Sequence, residues 1–156
     1  MIIRLTVEEY GRAIQAAYER WSTATRAGRQ DILCDRGWSV AFEAHLTGAI
    51  GELAVAKAIG VYAPLHVNQF RGMQADLGKD IEVRHRRSRE HQLIIREGDS
   101  DERKYVLSRG TPPEIELVGW ISGKDGKRKE FLADYGNYGM AYFVPDSNLY
   151  PMETLK

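Results

Sequence analysis

Apolar residues recur every three or four positions between Thr6 and Gly60, and from Asp80 onward they recur every second position. The first period belongs to helices and the second to half-buried strands. The chain therefore reads as two long helices followed by a series of strands, an α/β (α+β) order. Thr6-Val7-Glu8-Glu9 has the hydroxyl and the carboxylate of a capping box. The helix it opens is expected to reach about Ala27, with Tyr10, Ile14, Ala17, Tyr18 and Trp21 as its apolar stripe and Gly28 as its stop. Arg29 to Gly37 reads as a loop. The second helix is predicted over Trp38 to Ile59, ended by Gly60, and its face Trp38, Phe42, His45, Ala49, Glu52, Ala56 sets a carboxylate on an inward-looking stripe. Gly48 and Gly51 inside it each cost roughly 1 kcal/mol relative to Ala. Close approach of this helix to a sheet would offset that cost.

Strands are expected at His66–Phe70, Asp80–Arg84, Leu93–Arg96, Lys104–Ser108, Ile115–Ile121 and Tyr142–Val144, the last stopped by Pro145. Pro112-Pro113 separates two of them, and Ser122 to Gly126 reads as a turn. Arg128 to Tyr135 is read as a short helix, and the tail from Asp146 as loosely packed, anchored by Leu149 and Leu155. A length of 156 residues points to one domain, 1–156, made of an N-terminal helix and loop (1–37), a core (38–121) and a C-terminal extension (122–156).

The chain carries 22 basic and 22 acidic residues, so net charge does not argue for a polyanionic partner. The distribution does. Arg84, Arg86, Arg87 and Arg89 form one basic run with His85, and Lys124, Lys127, Arg128 and Lys129 form another, with the acid-rich Glu97 to Glu102 between them. Local basic patches hold phosphate even in a neutral protein. Cys34 is the single cysteine, so no intrachain disulfide forms and a cysteine-rich zinc site is excluded. His66, His85 and His91 lack zinc-ligand spacing. No signal peptide and no apolar run near the ~18 residues of a membrane span is read, and the expected location is cytoplasmic.

Glu82 and Arg84, two apart on the predicted strand, project to one face, and Asp76 leads into the same strand. Carboxylates that converge repel unless a cation lies between them, and Mg²⁺ takes one or two carboxylates plus waters and phosphate oxygens. That is the chemistry of phosphodiester hydrolysis.

These residues carry a resemblance. Gly48-Ala49-Ile50-Gly51-Glu52, then Asp76-Leu77-Gly78, then Ile81-Glu82-Val83-Arg84 resemble the PD-(D/E)XK nuclease superfamily, with the pattern of its Holliday-junction-resolvase-like and RecB-like members. The likeness covers about Trp38 to Ile121, and Val118-Gly119-Trp120-Ile121 resembles small phage and prophage proteins that share this core. It implies a restriction-endonuclease-like core, with N-terminal helices on a central mixed β-sheet, and a metal-dependent deoxyribonuclease that uses Mg²⁺ or Mn²⁺. It places metal ligands at Asp76 and Glu82, with the Val83 carbonyl as a further oxygen and Glu52 in support. The family's lysine falls on Arg84, which stays protonated and serves to hold the scissile phosphate but not to act as a base. The water's proton would then go to solvent, to substrate phosphate or to His85, unless Lys57 or Lys79 reaches the site. Arg86, Arg87 and Arg89 would grip flanking phosphates. Asp80 competes with Asp76 as first acid.

DNA is the expected partner, in the host cytoplasm if the chain is phage-encoded, with a homodimer possible and no nucleotide or organic cofactor. Blander readings stand beside these: Glu52 paired with an arginine, and Glu82 with Arg84 in an ordinary charge ladder. Base stacking by Tyr135, Tyr138, Tyr142 and Phe143 is weighed against plain packing. A catalytically inactive DNA-binding module and a protein-interaction factor contacting its partner through Glu97 to Glu102 are the alternatives to hydrolysis.

Overall fold

The structure is a computed structural model and describes residues 1–28, 37–67, 74–134, 136 and 139–155. It is mixed α/β: β1 (Ile2–Arg4), α1 (Val7–Arg26), α2 (Trp38–Ile59), β2 (Ile81–Arg86), β3 (Leu93–Arg96), β4 (Lys104–Thr111), β5 (Glu114–Ser122), α3 (Gly123–Gly126), β6 (Leu132–Asp134) and β7 (Met140–Val144). No helix among the described residues is long and apolar enough to cross a membrane.

The Thr6 hydroxyl accepts from the Glu9 amide at 3.2 Å while the Glu9 carboxylate accepts from the Thr6 amide at 2.7 Å, so the expected capping box starts α1. The predicted stripe of α1 is met only in part: Ala17 is buried and Tyr10 packs against the helix-side cluster. Ala13, Ala16 and Ala17 are buried, whereas Ile14 and Tyr18 are exposed. Small residues let α1 lie close to α2, and the larger side chains move to the rim. There Trp21 meets Tyr18, Trp38 and Phe42 at ring-centroid distances of 5.8–6.4 Å. Helix α2 spans the predicted residues and ends at Gly60, whose φ of 71° is the left-handed cap that glycine tolerates. From Ala49 to Ala56 it is buried on every side, between α1 and the sheet.

Two sheets form, where a single central sheet was expected. The larger has the order β1-β5-β4-β2, antiparallel except for the parallel β2–β4 pair, so it is mixed as expected. The smaller is antiparallel, β3-β7-β6. One hydrophobic cluster joins α1 and α2 to Ile81, Val83, Val106, Ile115 and Leu117. The other joins Tyr105, Leu107 and Ile121 to Leu93, Ile95 and Val144 of the smaller sheet. The four-stranded sheet is thus packed on both faces.

Strand β5 serves both clusters because Val118 is an extra residue. Ser108 pairs with Leu117 but Leu107 pairs with Gly119. The bulge resets the alternation. Ile115 and Leu117 therefore face the helices, while Ile121 faces the smaller sheet.

Other expectations are corrected. Residues 66 and 67 are not in a strand, and the rest of the predicted His66–Phe70 strand lies outside the described residues, as do Cys34, Tyr135 and Tyr138. Ser122 to Gly126 is a short helix capped by the Ser122 hydroxyl. In place of a helix from Arg128, a 3₁₀ turn at Lys129–Phe131 leads into β6. The N-terminus, given no element by periodicity, forms β1 on the outer edge of β5. The tail is not loose: Tyr150 bridges to Trp120 on that same edge, and Met152 is buried in the helix-side cluster.

Candidate functional site

Strand β2 is an edge strand whose alternation sets the site. Ile81 and Val83 are buried toward the helices, and Glu82 and Arg84 turn to the opposite face. The outer edge of β2 is covered locally. Leu77 and Ile81 exchange backbone hydrogen bonds of 3.1 and 3.2 Å, and the Val83 amide donates to Asp76 Oδ2 at 2.8 Å. Asp76 thus stands at the strand edge, with Glu52 on the helix side and Glu82 on the other side.

Glu52 is buried and accepts two hydrogen bonds from Arg20, Nη1 to Oε1 and Nη2 to Oε2, both 2.8 Å. Arg20 also donates through Nε to the His66 carbonyl at 2.8 Å. Burial pushes the Glu52 carboxyl above its ordinary value, the Arg20 bonds and charge oppose that, and the charges of Asp76 and Glu82 add to the rise. The blander sequence reading of Glu52, a carboxylate paired with an arginine, is the one the fold realises.

Glu82 is held by two guanidinium groups. Arg84 Nη1 donates to Oε2 at 3.2 Å, and Arg103 Nη1 donates to Oε1. Burial raises the Glu82 carboxyl and the charge of Asp76 raises it further, against the pull of both arginines. Arg84 is half-buried between acids. Its Nη2 donates to Asp99 Oδ2 at 3.0 Å, and its guanidinium lies 5.2 Å from the centroid of the Tyr105 ring. Burial, with the charge of Asp99, pushes the Tyr105 phenol up to about 12. Arg84 is therefore a half-buried cation held by the acids of the fold.

Asp76, not Asp80, is the aspartate of this group. Its charge reaches both Glu52 and Glu82, while Asp80 pairs with Lys104 at 2.7 Å. Lys57 does not enter the site: it bonds to Glu9 and the Arg4 carbonyl at 2.8 and 2.9 Å. Arg87 pairs with Glu43 and Arg89 with Glu116, both arginines remaining exposed. The second basic run folds onto the acid-rich segment. Lys127 donates to the carbonyls of Glu97 and Asp99 and pairs with Asp101. Sequence reasoning gave no part in this site to Arg20, Asp99 and Arg103, which lie 15 to 32 positions from the residues they pair with.

The residues do not fit a divalent ion as they are arranged. Both oxygens of Glu52 and both of Glu82 accept from guanidinium groups, and one oxygen of Asp76 accepts from the Val83 amide. Among the described residues no group of three His, Cys, Asp or Glu is placed to hold a metal. The physical reason is the strand alternation, which separates Glu52 from Glu82 across the edge of the sheet, with arginine charge on each side.

His85 is no acceptor for a proton from this site, because it faces the helices. Its Nε2 lies 3.1 Å from the Gly110 carbonyl, which only accepts, so Nε2 carries the hydrogen and Nδ1 accepts from the Ser108 hydroxyl at 2.9 Å. Burial lowers its pKa to about 4. The unfolded chain, with a histidine pKa of ~6.5, takes the proton first. Stability from this group is complete above pH ~6.5 and falls by about 3 kcal/mol as pH drops to ~4. Urea midpoints across that range should fall more steeply for the unaltered protein than for His85→Gln. Equal slopes would show that His85 is protonated in the fold.

No protein-family model, no curated protein and no solved structure matches this chain.

Proposed function

We propose that this chain has a restriction-endonuclease-like core that binds the phosphate backbone of DNA and does not cut it. The observation that carries this reading is the pairing of each motif acid with a donor of the fold: Arg20 on Glu52, Arg84 and Arg103 on Glu82, the Val83 amide on Asp76. Acids neutralised in this way no longer repel a polyanion, and among the described residues no vacant carboxylate set invites a metal. The strand that carries Glu82 and Arg84 continues into the exposed Arg87 and Arg89, whose pairings at the surface are weak enough to exchange for phosphate. Such contacts position a backbone without reading sequence.

A second reading, hydrolysis of DNA with Mg²⁺ or Mn²⁺, is favoured by one observation. The charge of Asp76 reaches both Glu52 and Glu82 and raises their affinity for protons, and the charge of Glu82 adds to the rise at Glu52. One experiment separates the two. Single-stranded, duplex and branched DNA are titrated at several salt concentrations, then incubated with each metal. The expected result is binding that weakens with salt, a slope reduced by about one in Arg89→Ala, and no cleavage. Metal-dependent cleavage that disappears in Glu82→Gln would install the hydrolytic reading. Absence of DNA binding by folded protein would remove both.

A further inference from the structure

On β3, Ile94 and Arg96 are two apart and share the face opposite the buried Leu93 and Ile95. Arg86, at the end of the strand that carries Glu82 and Arg84, approaches the same space. Together with Glu97, Gly98 and Met140 these residues line a cavity of about 280 Å³. The cavity abuts the charge network, because the Arg96 amide donates to the same Asp99 oxygen that accepts from Arg84, at 2.9 and 3.0 Å.

The lining is mixed in a particular way. The exposed Arg96 guanidinium is a planar, bidentate donor suited to a phosphate, and Arg86 adds a second cationic side chain to the lining. Glu97 opposes a bare compact anion and accepts from a hydroxyl or an amine. Ile94 and Met140 supply apolar cover, and the thioether adapts to a flat ring. A ligand suited to all three has an anionic end, an apolar body and a hydrogen-bond donor. The volume lies just below the ~300–1,000 Å³ of drug-sized ligand pockets, so the occupant is small.

We propose that this cavity binds one nucleotide unit, with its phosphate on Arg86 and Arg96 and its sugar and base against Ile94 and Met140. The proposal deepens the nucleic-acid reading and rests on it for the source of the nucleotide, which is either a strand of DNA or a free monophosphate.

The test titrates deoxyadenosine monophosphate, deoxyadenosine and inorganic phosphate into the protein, followed by NMR chemical shifts. The variants are Arg96→Ala, Met140→Trp and Lys129→Ala, the last an exposed cation outside the lining. The expected result is saturable binding of the monophosphate, tighter than either fragment. It should weaken roughly tenfold or more in Arg96→Ala, the size of a lost charge-assisted bond. It should also fall in Met140→Trp, which fills the cavity, and stay unchanged in Lys129→Ala. Displacement of a bound oligonucleotide by the monophosphate would make the source a DNA strand; monophosphate binding without displacement would make it the free nucleotide. Phosphate binding as tightly as the nucleotide, equal affinities in all variants, or no monophosphate binding would each overturn the proposal. Oligonucleotide binding is read separately, so loss of the DNA reading and loss of this one are distinguishable.

Discussion

Truncating one side of the Arg20–Glu52 pair, by Arg20→Ala or Glu52→Ala, is expected to cost about 3–5 kcal/mol, because each leaves a buried charge without its partner. The geometry supports the upper part of that range. Glu52 is only 5% exposed, and both of its oxygens accept from one guanidinium group. Arg20→Ala also strips the His66 carbonyl of its donor. The double variant Arg20→Met/Glu52→Leu is expected to come within about 1 kcal/mol of the unaltered protein or to exceed it, since apolar side chains of similar volume remove the desolvation penalty along with the attraction. Urea denaturation of the three variants reads this out. Single-variant losses below about 1 kcal/mol would mean that the pair is open to water. The same double variant bears on function. If Glu52 is an anchor between α1 and α2, DNA affinity survives its replacement.

The second large effect is expected at Gly51. A Cβ there would lie 2.6 Å from His85 Cβ, 3.0 Å from Ser108 Oγ and 3.1 Å from Val83 Cγ1. His85 Cβ is tied to the backbone of β2 and cannot swing aside, so α2 itself must move. Gly51→Ala should therefore lose stability near the upper end of the ~1–3 kcal/mol typical of overpacking, despite the better helix propensity of alanine. Gly48 is the control within the same helix. Its added Cβ would meet only Glu52 Oε1 at 3.8 Å and Arg20 Nη1 at 3.9 Å, ordinary contacts. Gly48→Ala should gain up to about 1 kcal/mol. Opposite signs from two glycines one turn apart would locate the helix–sheet contact at Gly51. A stabilising Gly51→Ala would show that the helix stands further from the sheet.

The expected bounds of α2, β3 and the alternation on β2 appear in the fold because each is a local property. A glycine past the last helical turn, a four-residue run of Leu93 to Arg96, and apolar residues at 81 and 83 act within a few positions of themselves. The prediction that a helix glycine marks a close approach also holds at Gly51, and fails at Gly48, because composition alone does not tell which side of the helix meets the sheet. The face of α1 was read correctly at Tyr10 and Ala17 and misread at Ile14 and Tyr18 for the same reason. Periodicity favours the large side chains Ile14 and Tyr18, whereas close packing of two helices selects Ala13, Ala16 and Ala17.

At the candidate site, the residue types and their spacing along the chain were legible: a helix carboxylate, an aspartate at the strand entry, and a carboxylate with a cation two residues on. The strand period also determined that Glu82 and Arg84 share a face. Only the tertiary structure decided what these charges do. Arg20, Asp99 and Arg103 arrive from a helix, a turn and a strand entry up to 32 positions away and take up the carboxylate oxygens and Arg84. Electrostatic pairing in a buried setting depends on distance in space and on desolvation, and neither is written in the order of residues.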